Sequence, residues 1–206
     1  MQQAEETTDK EDGRRLRGQE NRRRIVEAML ELVREGNISP GAEDVSARAD
    51  VGLRTVFRHF NDMDSLYREI SDVMLAEIEP IAAGPLPEGD WPTRLEAMID
   101  RRIRVFEKIM PFKIAADVHK YRSAVLREDH DTLTKMQRTT LRKALPPALK
   151  HDRMQFEALD LLMSFDSWRR LRMEQGLSVA QARKTVILAV SAIAAAAGVQ
   201  PTTSSI

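Results

Sequence analysis

From Arg14 onward, nearly every segment has apolar residues that return with a period of about 3.6 residues, and no stretch sustains the period-2 alternation of a half-buried strand. Ile25, Ala28, Met29, Leu32 and Val33 follow the i, i+3, i+4, i+7, i+8 stripe, and Gly36-Asn37 behind them can adopt the left-handed conformation that closes a helix. The pattern predicts an all-α protein of about nine helices, the first running from about Leu16 to Glu35. With 206 residues, 42% of them hydrophobic, the chain can bury a core without disulfides or structural metals.

Two short pieces come next, residues 42–49 and 54–60, separated by Asp50-Val51-Gly52-Leu53. Helices this short are marginal in water, so Val45, Ala49, Val51, Val56 and Phe60 must anchor them to their neighbours. A fourth helix is expected from Asp62–Ser65 to about Glu79, ended by Pro80 and the Gly84-Pro85-Leu86-Pro87-Glu88-Gly89 linker. Thr93 and Glu96 fit a capping box for the fifth, although Pro92 suits the first helical position equally well. Pro111 opens a sixth, Pro146-Pro147 ends a seventh, and residues 152–175 form an eighth that stops at Gly176. Ser178 and Gln181 make a second capping box, and the last helix ends at Gly198.

Cysteine is absent, which removes thiolate metal sites, iron–sulfur clusters and a cysteine nucleophile together. The opening MQQAEETTDKEDG is acidic and polar, unlike a secretory signal. The longest apolar stretch, Val186 to Val199, holds Ser191 and six alanines and is shorter than the roughly 20 residues of a bilayer span. A cytoplasmic protein with no membrane partner is expected. The formal net charge of zero conceals segments of opposite sign. Residues 1–13 carry five acids against Lys10, whereas residues 14–24 carry Arg14, Arg15, Arg17, Arg22, Arg23 and Arg24 against Glu20. The basic run is either a solvated helix face or an electrostatic footprint for nucleic acid.

What lies beside it favours the second reading. A helix-turn-helix needs a small residue in its first helix, a turn residue tolerant of positive φ, and apolar side chains that lock the crossing angle. Ser46, Asp50 and the pair Val51 and Val56 supply these. The second short helix, LRTVFRHF, would then present Arg54, Thr55, Phe57, Arg58 and His59 outward. Arginine bridges guanine O6 and N7, threonine bonds phosphate or touches a thymine methyl, and an aromatic ring lies along the sugar–phosphate wall.

Residues 22–70 resemble the TetR-type transcriptional repressors, most specifically at Val51-Gly-Leu-Arg-Thr-Val-Phe-Arg-His-Phe60 followed by Asp64-Ser-Leu66. Three positions depart from that pattern: Asp50 replaces a glycine, Phe57 a tyrosine, and Met63 a lysine that commonly contacts the DNA backbone. The resemblance implies a homodimer whose recognition helices enter successive major grooves of a palindromic operator on double-stranded DNA. It also implies a C-terminal domain that binds a small-molecule effector, which would make the chain a ligand-responsive regulator, expected to be a repressor. On this basis residues 1–13 are a disordered acidic tail and residues 14–62 a three-helix DNA-binding domain to which Arg22 adds a phosphate contact. Residues 63–198 form the ligand-binding and dimerisation bundle, and residues 199–206 a frayed tail.

In the family the last two helices pair with their two-fold mates in a four-helix bundle. Here Ala189 and its neighbouring alanines permit close approach while Val186, Val190 and Ile193 supply apolar area. Trp168 belongs with them or in the core. Candidate effector contacts are Phe106, Met110 and Met163, as part of an adaptable methionine-rich interior, with His119 and Tyr121 as polar partners; the last two serve equally well as a structural pair. The four histidines lack metal-ligand spacing, and there is no glycine-rich phosphate loop or nucleophile elbow, so neither a cofactor nor a catalytic residue is assigned. The rival reading is a helical adaptor on the same fold that binds another protein and no specific DNA sequence.

Overall fold

The structure, a computed structural model, describes residues 2–199, with side chains from Arg15 onward. Met1 and residues 200–206, most of the expected frayed tail, lie outside the described residues. The chain is all-α: α1 (Gln2–Arg34), α2 (Ala42–Arg48), α3 (Leu53–His59), α4 (Met63–Ala82), α5 (Trp91–His119), α6 (Ala124–Ala144), α7 (Pro147–His151), α8 (Arg153–Leu162), α9 (Phe165–Arg169) with a π-helical turn (Arg170–Glu174), and α10 (Val179–Ala196). No strand occurs among the described residues.

Several boundaries differ from the expected ones. α1 begins at Gln2 and so includes the acidic segment expected as a disordered tail. α4 and α5 each run through a proline, Pro80 and Pro111. A proline removes one N–H from the ladder; after Pro80 only Ile81 and Ala82 remain helical, whereas α5 continues past Pro111 to His119. Asp90 caps α5, its Oδ1 accepting from Thr93 N at 3.0 Å, so Pro92 sits in the first turn and the Thr93 capping box does not form.

The long helix expected over residues 152–175 is broken at Met163–Ser164. There Ser164 and Ser167 turn their hydroxyls onto the Leu161 carbonyl, and Ser164 Oγ accepts from Ser167 N at 3.2 Å, which starts a new helix in place of continuing the old one. Pro147 at the first turn of α7 likewise starts a helix rather than only ending one. The Ser178–Gln181 capping box forms as expected, with Ser178 N to Gln181 Oε1 at 2.9 Å and Gln181 N to Ser178 Oγ at 3.2 Å.

The described chain packs as two compact units: residues 2–75 with 111–129, and residues 76–110 with 130–199. α4, α5 and α6 each contribute residues to both units. The core of the first unit comprises Ile25, Met29 and Val33 of α1, Val45 of α2, Val56 of α3 and Leu66 of α4, with Ala115 from the second half of α5. In the second, Met98, Leu141, Leu149, Phe156, Leu159 and Trp168 are fully enclosed.

Candidate nucleic-acid interface

The turn between α2 and α3 depends on Asp50. Its φ is +50°, the one positive value at a non-glycine residue among those described. The left-handed conformation is costly for most L-residues but accessible to Asp. Arg24 donates from Nη2 both to the Asp50 carbonyl and to Oδ2, each at 3.2 Å, and so ties the turn to α1. Asp44 Oδ2 accepts from Gly41 N at 2.9 Å and fixes the start of α2. Val45, Ala49, Val56 and Phe60 are all buried, with Val51 partly so. These are the anchors expected for two helices too short to stand alone.

With Val56 turned inward, α3 presents Leu53, Arg54, Phe57 and Arg58 to solvent; Phe57 is 48% exposed, unusual for a large aromatic in a well-packed unit. Thr55 is half-buried at the flank. His59 points back instead. Its Nε2 is buried without a hydrogen-bond partner, and its ring lies near Gly18, where an added Cβ would sit 3.9 Å from Cε1. Burial, with the neighbouring Arg58 and Arg22 charges, holds the His59 pKa below its usual value. His59 therefore packs α3 onto α1 and does not belong to the outward face.

Arg22 also departs from its expected place among the phosphate contacts. Nη1 donates to the His59 carbonyl at 2.9 Å, Nε and Nη2 donate to the Glu69 carboxylate of α4, and Cζ lies 4.5 Å from the Phe60 ring centroid. One guanidinium thus closes the C-terminus of α3, joins it to α4 and covers the aromatic anchor, because its planar fork can meet a carboxylate and a carbonyl together. Arg23 pairs with Glu20 and Glu27 on its own helix, and Arg48 pairs with Glu35. Met63, at the position of a backbone-contacting lysine in the resembled family, packs partly buried against the core of the first unit.

The proposed effector contacts are not brought together. Ser39 Oγ lies 2.9 Å from His119 Nε2, and the His119 ring stacks on Tyr67 with centroids 5.7 Å apart, so His119 is a structural link within the first unit. Tyr121 is 79% exposed. Phe106 and Met163 do meet, in the second unit, where they line an apolar crevice with Trp168, Val186 and Arg102. Its interior volume is about 10 Å³, close to the space one water needs. Met110 is buried but is not part of that lining.

Arg102 is the residue that the apolar periodicity disguises. Its side chain sits within the stripe of α5 and is 8% exposed, with Nη1 donating to the Met163 carbonyl at 2.9 Å and Nη2 to that of Gln137. Desolvation lowers its pKa to about 10, against the raising effect of Asp160. Trp168 Nε1 donates to Glu107 Oε1 at 2.8 Å, beside Arg172. Burial acts to raise the Glu107 pKa, but the bonds from Arg172 and Trp168 hold it below its usual value.

Three expected dimerisation residues face their own core. Trp168, Val186 and Val190 are 2%, 6% and 1% exposed in the single chain, because α10 turns its Ala182-Val186-Val190-Ala194 edge toward α8. Ala189 and Ile193 are half-buried, and the outward apolar positions include Leu188, Ala192, Ala195 and Ala196, with Leu188 73% exposed. Among the described residues α10 is the one helix long and apolar enough to cross a membrane by length and composition.

The fold has a solved counterpart. A crystal structure of a transcriptional regulator from Rhodococcus sp. Rha1 superposes with a TM-score of 0.66 at 16% sequence identity, over 89% of this chain and 99% of that one. At that identity the likeness establishes the fold. No known family profile matches the sequence, and no curated protein does either.

Proposed function

We propose that this chain is a TetR-type transcriptional regulator that binds a palindromic DNA operator as a homodimer and leaves it when a small molecule binds the second unit. The observation that carries the proposal is α3: a helix seated through Val56 and a left-handed Asp50 turn, whose free face holds Arg54, Phe57 and Arg58. Arg54 is the base reader, Arg58 and Thr55 are phosphate contacts, and Phe57 lies on the sugar–phosphate wall. The likeness in fold to a transcriptional regulator supports the general role.

The outward stripe Leu188, Ala192, Ala195 and Ala196 of α10 is the natural dimer face: an exposed leucine flanked by small residues permits close helix packing. The effector enters at the Phe106–Met163–Trp168 crevice and must enlarge it. α4, with residues in both units, carries the coupling, and reciprocity requires that an effector favouring one arrangement weaken the DNA complex that needs the other.

The test is a gel shift of the full chain against genomic fragments at graded salt. Sequence-selective retention that weakens steeply between low and moderate salt is the expected result. Retention that is independent of both sequence and salt would sink the proposal in favour of a helical adaptor.

A further inference from the structure

Several cations in this protein are paired with carboxylates. Arg23, Arg48, Lys108, Lys113, Arg172 and Arg183 each have a carboxylate within ion-pair distance. One region of the second unit differs. Lys135, Arg138, Arg142 and Lys143 fall at i, i+3, i+7 and i+8 on α6, with Thr139 between them, and so share one face of that helix. Lys150 and His151 of α7 close the other side, and together these residues line a cleft of about 620 Å³.

Two of the cations have internal duties. Arg138 binds Glu157 and Asp160, and Arg142 donates to the Lys150 carbonyl at 2.9 Å with Cζ 3.7 Å from the Phe156 ring centroid. Arg142 thus forms a cationic floor held in place by an aromatic ring and a carbonyl. Among the described residues Lys135, Lys143, Lys150 and His151 have no carboxylate within ion-pair distance. Lys135, Lys143 and Lys150 line one concavity with no carboxylate of their own in ion-pair distance, an arrangement that favours a bound anion.

The geometry points to a binding site for a small molecule bearing two or more phosphate groups in the α6–α7 cleft. The volume lies in the range for ligands of cofactor size, on the order of 300–1,000 Å³. Lysines act as mobile point charges suited to phosphate, while the Arg142 floor is fixed. A concave pocket of this kind suits a compact polyanion better than a duplex, whose phosphates lie along a convex rod. The site is separate from the apolar crevice, and the inference does not depend on the proposed DNA reader.

The experiment titrates inorganic pyrophosphate, ATP and a short duplex of random sequence into the full chain by calorimetry at about 0.1 M salt. The same titrations are run on the exposed-residue variants Lys135→Ala/Lys143→Ala and Lys143→Ala/Lys150→Ala, and on Arg54→Ala. One saturable site for pyrophosphate or ATP is expected, weakened at least tenfold by either double substitution and unchanged in Arg54→Ala. Absence of saturable binding up to millimolar pyrophosphate and ATP would overturn the inference. So would equal binding by wild type and both double variants, or binding of the duplex alone. Unchanged fold in the variants is checked by their melting temperatures. Loss of operator binding in Arg54→Ala, with pyrophosphate binding intact, keeps the two readings separable.

Discussion

α3 and the Phe106–Met163 crevice are built on opposite plans. Seven residues long, α3 buries Val56 and presents Arg54, Phe57 and Arg58 to solvent, so its chemistry is complete in the free protein. The crevice is lined by large side chains that leave about 10 Å³ between them, and a ligand larger than water requires Phe106, Met163 or Trp168 to move. A reader of a rigid duplex gains from a preformed surface, since ordering on binding subtracts from affinity. On the proposed reading the crevice is a sensor, and differential affinity for two states is what moves the equilibrium. The two plans predict different responses to substitution.

The largest effect tests whether the seat of α3 is independent of its reading face. Phe60 is buried at the end of α3 under the Arg22 guanidinium. Phe60→Ala should cost about 3–5 kcal/mol of stability, seen as a drop in melting temperature of roughly 6–20 °C. Phe57→Ala, at a half-exposed position three residues earlier, should stay within about 0.5 kcal/mol of wild type while weakening DNA retention. A comparable melting-temperature loss in both would mean that α3 is not divided into a seat and a face.

Arg54 and Arg22 sharpen the same division within one residue type. Arg54→Ala should leave the melting temperature alone and relax base preference at one or two operator positions by about 1–3 kcal/mol. Arg22→Ala removes the bonds to the His59 carbonyl and Glu69 and the cover over Phe60. It should destabilise the protein by about 1–2 kcal/mol and weaken every DNA sequence alike, through a loosened α3. The pair is scored by thermal melting beside selection from a randomised operator library, and an unchanged melting temperature in Arg22→Ala would return that arginine to the phosphate contacts.

The parts of this architecture legible in the sequence are those governed by local rules. Helical periodicity, the Val45, Ala49, Val56 and Phe60 anchors, the left-handed Asp50 and the Ser178–Gln181 box are all decided by residues within a few positions of one another. What was not legible depends on partners far along the chain. Arg22 reads as a DNA contact because Glu69, 47 residues away, gives no local sign of its pairing. His119 reads equally as an effector contact or a structural residue, and Ser39, 80 residues away, gives no local sign that it lies beside it. Trp168, Val186 and Val190 read as an interface because periodicity identifies an apolar stripe without saying whether its own chain or a second copy covers it. Arg102 is hidden within such a stripe, where a charged residue reads as an interruption rather than as a buried group satisfied by two carbonyls. Pro80 and Pro111 read as stops because helix propensity is a weak prior beside tertiary packing.

A smaller effect probes the second unit at the start of α10. Ser178 caps that helix through Gln181 N, and Ser178→Ala should cost about 1 kcal/mol without altering operator affinity. A calorimetric melt read beside the gel shift checks it. A loss of operator affinity larger than the loss of stability would show that the seating of α10 reaches the DNA complex directly, and so would join two regions that the comparison keeps apart.

The smallest effect concerns His59, which separates the seat of α3 from its face by protonation. Its folded pKa lies below the ordinary value of about 6.5, so the unfolded chain binds a proton at His59 more readily than the folded chain does. Stability from this residue is therefore fully present above about pH 6.5 and falls as the pH drops toward the folded pKa. His59→Gln cannot bind the proton and should show a shallower decline in melting temperature between about pH 7.5 and 5.5 than wild type. Because Nε2 is buried against α1 and not on the outward surface, the DNA-contacting charge should change little over the same range. If His59→Gln instead removed a pH dependence of DNA affinity while leaving that of stability intact, His59 would belong to the reading face, and the boundary drawn through α3 would have to move by one residue.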